Sequence, residues 1–341
     1  EMLNETCFQS MITQQAWMFL SGYEKVRKKL IKMDCINMIH LGAHAFEEIG
    51  GEVVQTTSFV MRKSSILSKG TFCRLIEPTS QQGKQEMFLL YKHQYNVTTE
   101  RFAAIPGYRY VYWIKAERIF DQDVISDRFV SGGRNKTHNN ELYVRTWWEI
   151  NADFNHWKHY DNGGTSRKWY GNCLDVVNWS ESAKDFYAKH GGLLKDDVCE
   201  QAGISWNGIS GKNYSFKIKQ KGFAFSSSSP TIIGTSFREI ACVLGLLNSN
   251  EAPYLLNAIN PTLQLNVGET LMFPVDYNKI FSDEIFKLSD QNIRLAKEDW
   301  DFFETSWNFQ RHPLLQYASY TPQKVAQEEE NGYLVMNGIT D

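Results

Sequence analysis

Apolar and polar positions along this chain follow two different rhythms, and the change between them falls near residue 126. Residues 9–13, QSMIT, predict a short strand. Phe19, Tyr23, Val26 and Leu30 then recur at the spacing of one helical face, leaving Lys25, Lys28, Lys29 and Lys32 for solvent. A compact apolar run, INMIHLGA, follows. The loop AFEEIGGE separates it from VVQTTSFVMRK, whose β-branched residues suit a strand. Strand, helix, strand, glycine-containing loop, strand is the order expected of the closing part of an α/β sheet.

Residues 64–125 are mixed in pattern. A helix is expected near residues 84–95, Thr98 or Thr99 can cap another before Glu100, and Pro106-Gly107 marks a turn. From residue 126 the runs shorten to LYVRTWWEI, DVVNW, YSFKIK and GFAFS, with Gly and Asn between them, which predicts an irregular antiparallel domain. Inside it Ile240, Val243, Leu244 and Leu247 mark a buried helix, and Leu255, Leu256 and Ile259 a second. PTLQLNVGETLMFPV predicts a return to strand. EIFKLSDQNIRLAKEDWDFFETSWNF predicts a helix, and the tail from Thr321 has no clear pattern. The expected divisions are 1–63 for the end of the first sheet, 64–125 for a connector, 126–282 for the β-rich domain and 283–341 for the start of a helical region.

Composition narrows the classes of function. The 341 residues are enough for two domains, and 42% hydrophobic with 22% charged residues is ordinary for soluble globular protein. A net charge of -3 gives no global attraction to nucleic acid, so such a function needs a local patch. The ten Trp suit large β cores first and stacking surfaces second. Six scattered cysteines form no C-x-x-C pair, which points to free thiols in a reducing cytoplasm, so a cytoplasmic location is expected. No apolar run has membrane-spanning length, and EMLNETCFQS is neither a signal nor a transit sequence and reads as a start in mid-domain.

Two stretches carry candidate chemistry. In KHYDNGGTSRKWYGN, residues 158–172, Gly163 and Gly164 permit a tight loop whose amides can face a phosphate, while Arg167 and Lys168 supply charge. Arg167 can also read a guanine edge, and a loop tied down by a structural Trp169 has the same sequence. Between Gln201 and Arg238 stand Lys212, Lys217, Lys219, Lys221 and Arg238 with no Asp or Glu. Such a one-sign window favours a polyanion, with a solvated edge strand as the plainer alternative. Trp206, Ser210, Asn213 and Ser215 interleave polar and aromatic groups with that charge.

Other constellations are weaker. His40 with His44 and His156 with His159 lack the nearby Glu of a zinc hydrolase, so no metal is expected. No G-x-S-x-G elbow is present. Asn260-Pro261-Thr262 has the first two residues of the Asn-Pro-Pro-aromatic tetrad that binds a flipped base but lacks the rest, and it reads as a helix-to-strand turn.

Taken together, MITQQAWMFLSGYEKVR, MIHLGAHAFEEIGGEVVQTTSFVMRK, YDNGGTSRKWYGNCLDVVNW, GISWNGISGKNYSF, LGLLNSNEAPYLLNAINPTLQLNVG and KEDWDFFETSWNFQRHPLL resemble, in order, the PglX family, the adenine-specific DNA methyltransferases of BREX phage-defence systems. The resemblance implies S-adenosylmethionine as the parent enzyme's cofactor and transfer of a methyl group to N6 of a flipped adenine in double-stranded DNA. It also implies a fold class of α/β plus α+β: the C-terminal strands of a Rossmann-like methyltransferase sheet, a mixed, β-rich target recognition domain, and a helical segment. The chain departs from the family in lacking a glycine-rich cofactor loop and a complete tetrad, and SGGRNKTHNN replaces the family's usual loop at residues 131–140. The expectation is therefore a chain without catalytic residues, inactive alone and binding no cofactor by itself.

On this basis Lys136, Arg167, Lys168, Lys212 and Lys217 are expected mostly on phosphates, and Asn139, Asn140, Trp206, Asn207, Ser210 and Asn213 on base edges. The loop of residues 42–52 is expected near the target base. The alternative is an interaction module docking another defence component or a phage DNA mimic.

Overall fold

The structure is a computed structural model, which describes residues 7–46, 54–63, 66, 68–91, 93–114, 122–150, 156–209, 214–260 and 264–316. Two compact units share the chain discontinuously. The first takes Glu1–Ser131, Gly208–Tyr214 and Leu246–Ser282; the second takes Gly132–Asn207, Ser215–Gly245 and Asp283–Asp341.

The first unit is built on five strands: β1 (Phe8–Gln14), β2 (Asp34–Gly42), β3 (Thr56–Arg62), β4 (Lys69–Arg74) and β5 (Gln94–Thr98), in the order β1-β3-β2-β4-β5. β3 is antiparallel to both β1 and β2, and β2 is parallel to β4, so β1, β2 and β4 run the same way. Short helices α1 (Ala16–Phe19) and α2 (Glu24–Leu30) carry the chain from β1 to β2. The expected strand, helix, strand, strand order is therefore present, although residues 47–53 of the intervening loop lie outside the described residues.

The sheet does not stop at residue 63. β4 and β5 extend it, with helix α3 (Gln81–Leu89) between them in sequence, so Lys69–Arg74 and Gln94–Thr98 belong to the same sheet as β1, β2 and β3. Phe72, Val97, Phe102, Tyr110 and Tyr112 share a core with Trp17, Met38 and Phe59. Gly70 permits the β2/β4 approach, because a Cβ there would sit 1.8 Å from the Cys35 carbonyl oxygen.

The helical face expected from Phe19 to Leu30 is rearranged. Leu20 is extended, with φ -65° and ψ 140°, which ends α1 and breaks the three-and-four register. Phe19 stays buried, Tyr23 and Val26 turn outward, and Arg27 goes inside. Its guanidinium donates to the carbonyls of Gly107 at 2.7 Å, Trp17 at 2.8 Å and Leu20 at 2.7 Å. Burial, with Arg109 nearby, pulls its pKa down to about 10.

In the second unit the strands Ala224–Phe225, Trp157–Asp161, Asp175–Asn178 and Val144–Thr146 form one sheet in that order, its first pair parallel and the others antiparallel. Gly203–Trp206 pairs antiparallel with Phe216–Lys219 on one side and Thr231–Ile233 on the other. Tyr160, Val177, Tyr187, Leu194 and Phe225 form a core. The runs expected as strands are present but short, and LYVRTWWEI becomes Val144–Thr146 followed by a 3-10 turn.

Both apolar helices are present, as Phe237–Leu247 and Ala252–Ile259, and the mixed-charge helix runs over Asp283–Asp301. The expected strand over residues 261–275 is corrected. Asn266 and Glu269 form a capping box that starts the helix Val267–Leu271, and among the described residues of the run only Pro274–Val275 forms a strand. The tail from Thr321 lies outside the described residues. The expected α/β plus α+β class holds at the level of a mixed α/β protein with several sheets.

Candidate nucleic-acid interface

The double-glycine loop of the second unit is fixed from beneath by one carboxylate. Asp161 ends the strand Trp157–Asp161, and its Oδ1 accepts from Lys217 Nζ at 2.8 Å and from the Gly163 amide at 3.4 Å. Its Oδ2 accepts from Ser205 Oγ at 2.8 Å. Lys217 also donates to the Gly171 carbonyl at 3.3 Å. With that anchor in place, Gly163 and Gly164 take φ of 88° and 120°, conformations an L side chain rarely adopts.

Above the anchor the loop is tied by side chains. Asn207 Nδ2 donates to the Gly164 carbonyl at 2.6 Å, and Asn172 Nδ2 to the Thr165 carbonyl at 2.7 Å. Ser166 Oγ and Ser215 Oγ are 2.5 Å apart. Trp169 bridges to the strand Phe216–Lys219, donating to the Phe216 carbonyl and accepting from the Ile218 amide. The result is a rim of exposed Gly164, Thr165, Ser166 and Lys168 over a fixed base. Exposed hydroxyls and one ammonium group on held backbone can hydrogen-bond base edges and pair with phosphate.

Several residues expected at a DNA surface are placed elsewhere. Lys217 is buried in the ion pair with Asp161, and Trp206 is 1% exposed, packed on Phe216 with ring centroids 5.5 Å apart. Neither is a surface group, so the phosphate role expected of Lys217 and the base-edge role of Trp206 are corrected. Lys219 is buried too, donating to the carbonyls of Val198 at 3.1 Å, Cys199 at 2.6 Å and Gln201. Burial pulls its pKa down to about 8. Three of the four residues of Phe216–Lys219 are buried, so these lysines do not line a solvated edge. Arg238 pairs with Asp283 at 2.6 Å. Of the window's described cations, Lys217 and Lys219 are therefore removed from the surface, Arg238 is paired, and Lys221 is exposed.

Other expected residues fall on or near the surface. Lys168 is exposed, and Arg167 is half-buried, lying over Trp300 at 4.9 Å and reaching Asp299 at 3.3 Å. Lys136 is half-buried beside Gly192, whose carbonyl accepts its amide at 2.7 Å. Asn139 caps the short helix Asn140–Tyr143, and Asn140 accepts from Thr137. Ser210, Lys212 and Asn213 lie outside the described residues. Asp161 and Ser205, which sequence reasoning passed over, hold the loop. The signal for Asp161 was its place directly before Asn-Gly-Gly.

Two of the candidate histidines serve packing. In the first unit His40 contacts Tyr112 Oη at 3.1 Å and Gln15, and in the second His159 stacks on Phe223 with centroids 4.7 Å apart. Asn260 ends the helix Ala252–Ile259 and donates to the Gln264 carbonyl at 2.6 Å. All six cysteines are free thiols. No helix among the described residues is long and apolar enough to cross a membrane.

The chain is similar to a segment of two adenine-specific methyltransferases. It is 32% identical over 346 residues to the adenine-specific methyltransferase PglX of Lacticaseibacillus casei (strain Zhang), covering 90% of this chain and 28% of that protein. To the adenine-specific methyltransferase BrxX of Escherichia coli O9:H4 (strain HS) it is 30% identical over 342 residues, covering 94% and 28%. The chain thus spans little more than a quarter of either relative. No family model matches it. Solved structures with some likeness are the type IIG restriction endonuclease BpuSI, at TM-score 0.37, 10% identity and 85% and 42% coverage, and the type IIL restriction-modification enzyme MmeI in complex with DNA, at 0.47, 9%, 89% and 43%.

Proposed function

We propose that this chain supplies DNA target recognition within an S-adenosylmethionine-dependent N6-adenine DNA methyltransferase of a BREX phage-defence system. The observation that carries it is similarity over 90% of the chain to adenine-specific methyltransferases of which it spans 28%. A second support is the fixed, hydroxyl-rich rim of the second unit, built for contact rather than for proton transfer. In this reading Lys168, Arg167 and Lys136 meet phosphates, Asn139, Asn140 and Asn207 meet base edges, and residues 210–213 add Ser210, Lys212 and Asn213.

The five-stranded sheet suits the closing part of a Rossmann-like catalytic fold. β1 and β2 run parallel across a helical crossover, and β3 fills the position between them. β1 exposes Phe8 and Ile12, at 60% and 64%, as a strand made to be covered. The described turn between β1 and α1 does not suit S-adenosylmethionine. Only Gln15 separates β1 from α1, without the glycines that let backbone approach such a cofactor. No methyl transfer is expected from the chain alone. A protein-docking role draws on a different observation, the exposed Trp148, Phe303 and Trp307 of the second unit.

Titration of fluorescent duplex DNA at several salt concentrations tests the proposal. Binding that weakens steeply with salt supports it, and binding absent at low salt, or indifferent to salt, counts against it.

A further inference from the structure

We propose that Ser227 and Ser228, the exposed middle pair of the turn Ser226–Ser229, are specificity-determining residues that read base edges beside the double-glycine loop. This rests on the target-recognition reading and assigns it a base-reading element that neither the charge nor the motif spacing of the chain picked out.

The four serines divide cleanly into two that hold the turn and two that are presented by it. Ser226 is buried: its amide donates to the Asp161 carbonyl at 2.9 Å, and its Oγ accepts from the Ser228 amide at 3.0 Å. Ser229 is fully buried, and its carbonyl accepts from Thr231 Oγ1 at 3.0 Å. Pro230, next along, accepts from the Trp206 amide at 3.2 Å. Both ends of the turn are thus fastened to strands of the second unit. Ser227 and Ser228 are exposed, and their hydroxyls have no hydrogen-bond partner among the described residues.

Position makes that pair informative. A Cβ on Gly163 would lie 3.4 Å from the Ser228 carbonyl oxygen, 3.5 Å from Ser228 Cβ and 3.6 Å from Asn207 Oδ1. The serine turn, the double-glycine loop and Asn207 therefore meet at one point, although about 60 residues separate the loop from the turn in sequence. Asn207 holds the loop at this point. Its Nδ2 is spent on Gly164, while its Oδ1 is sheltered from solvent with no partner among the described residues.

The chemistry suits bases better than phosphates. A serine hydroxyl is both donor and acceptor, so the pair can match an acceptor edge or an exocyclic amine. It carries no charge, and the cations of the rim lie elsewhere, on Lys168 and Arg167. A turn fastened at both ends presents those hydroxyls with little ordering cost on binding.

The test selects bound duplexes from a randomised pool with the wild-type chain, with Ser227→Ala/Ser228→Ala, and with Ser229→Ala as a buried control. Thermal melting checks that each is folded. The expected result is that the double variant melts like wild type and binds the pool within about twofold, but loses about tenfold discrimination at one or two positions of the selected sequence. Ser229→Ala keeps the wild-type preference. If wild type selects a sequence and the double variant selects the same one with equal enrichment, the assignment of these serines is wrong while target recognition stands. If wild type selects no sequence at all, target recognition fails and the assignment fails with it.

Discussion

Lys217 and Asp161 form an ion pair at 2.8 Å with side chains only 4% and 6% exposed, and this pair ties the strand Phe216–Lys219 to the start of the double-glycine loop. Removing one member leaves the other's charge in low dielectric with neutral hydrogen-bond partners but no counter-charge. Lys217→Met is therefore expected to cost about 3–5 kcal/mol of stability. Lys217→Met combined with Asp161→Leu is expected to cost less than the sum of the single changes. Urea unfolding of the four proteins checks this; additive losses would mean the pair is not coupled.

His40 gives the first unit a dependence on pH. Burial, reinforced by the positive charges of Arg74 and Lys84, pulls its pKa from 6.5 down to about 3, while Tyr112 and Gln15 hold its ring nitrogens. Unfolded, the imidazole binds a proton below its ordinary value; folded, it stays neutral until about 3. Between those limits the unfolded chain holds more protons. Stability therefore falls as pH is lowered from 6.5 towards 3 and is untouched by this group above 6.5, with a slope of at most about 1.4 kcal/mol per pH unit. In His40→Gln the acid side of the urea-unfolding profile is expected to be flatter. Curves that run parallel to wild type would rule out His40 as a source.

What the sequence made legible follows from which interactions are local. Ile240, Val243, Leu244 and Leu247 share one buried helical face, and their spacing alone announces it. β1, β2 and β3 were readable for the same reason. Tyr23 and Val26 misled because one extended residue, Leu20, resets the helical register, and a periodicity count takes no account of a break in backbone. Lys217 and Lys219 misled for another reason. Charge in a window suggests solvent, whereas these two ammonium groups are neutralised or capped by groups far off in sequence: Asp161 for one, the carbonyls of Val198, Cys199 and Gln201 for the other. Of the site, the glycine loop with Arg167 and Lys168 was visible in sequence. Its convergence with Ser227, Ser228 and Asn207 is tertiary, and no spacing encodes it.

The central claim is choice of site, so the deciding quantity is a ratio of affinities rather than an affinity. Competition at one fixed, near-physiological salt concentration would set a duplex carrying the selected sequence against a scrambled duplex of equal length and composition. The account predicts that the selected duplex binds at least about 1,000-fold more tightly. Equal affinity for the two duplexes would contradict it, because the charge on the rim would then be holding DNA without reading it.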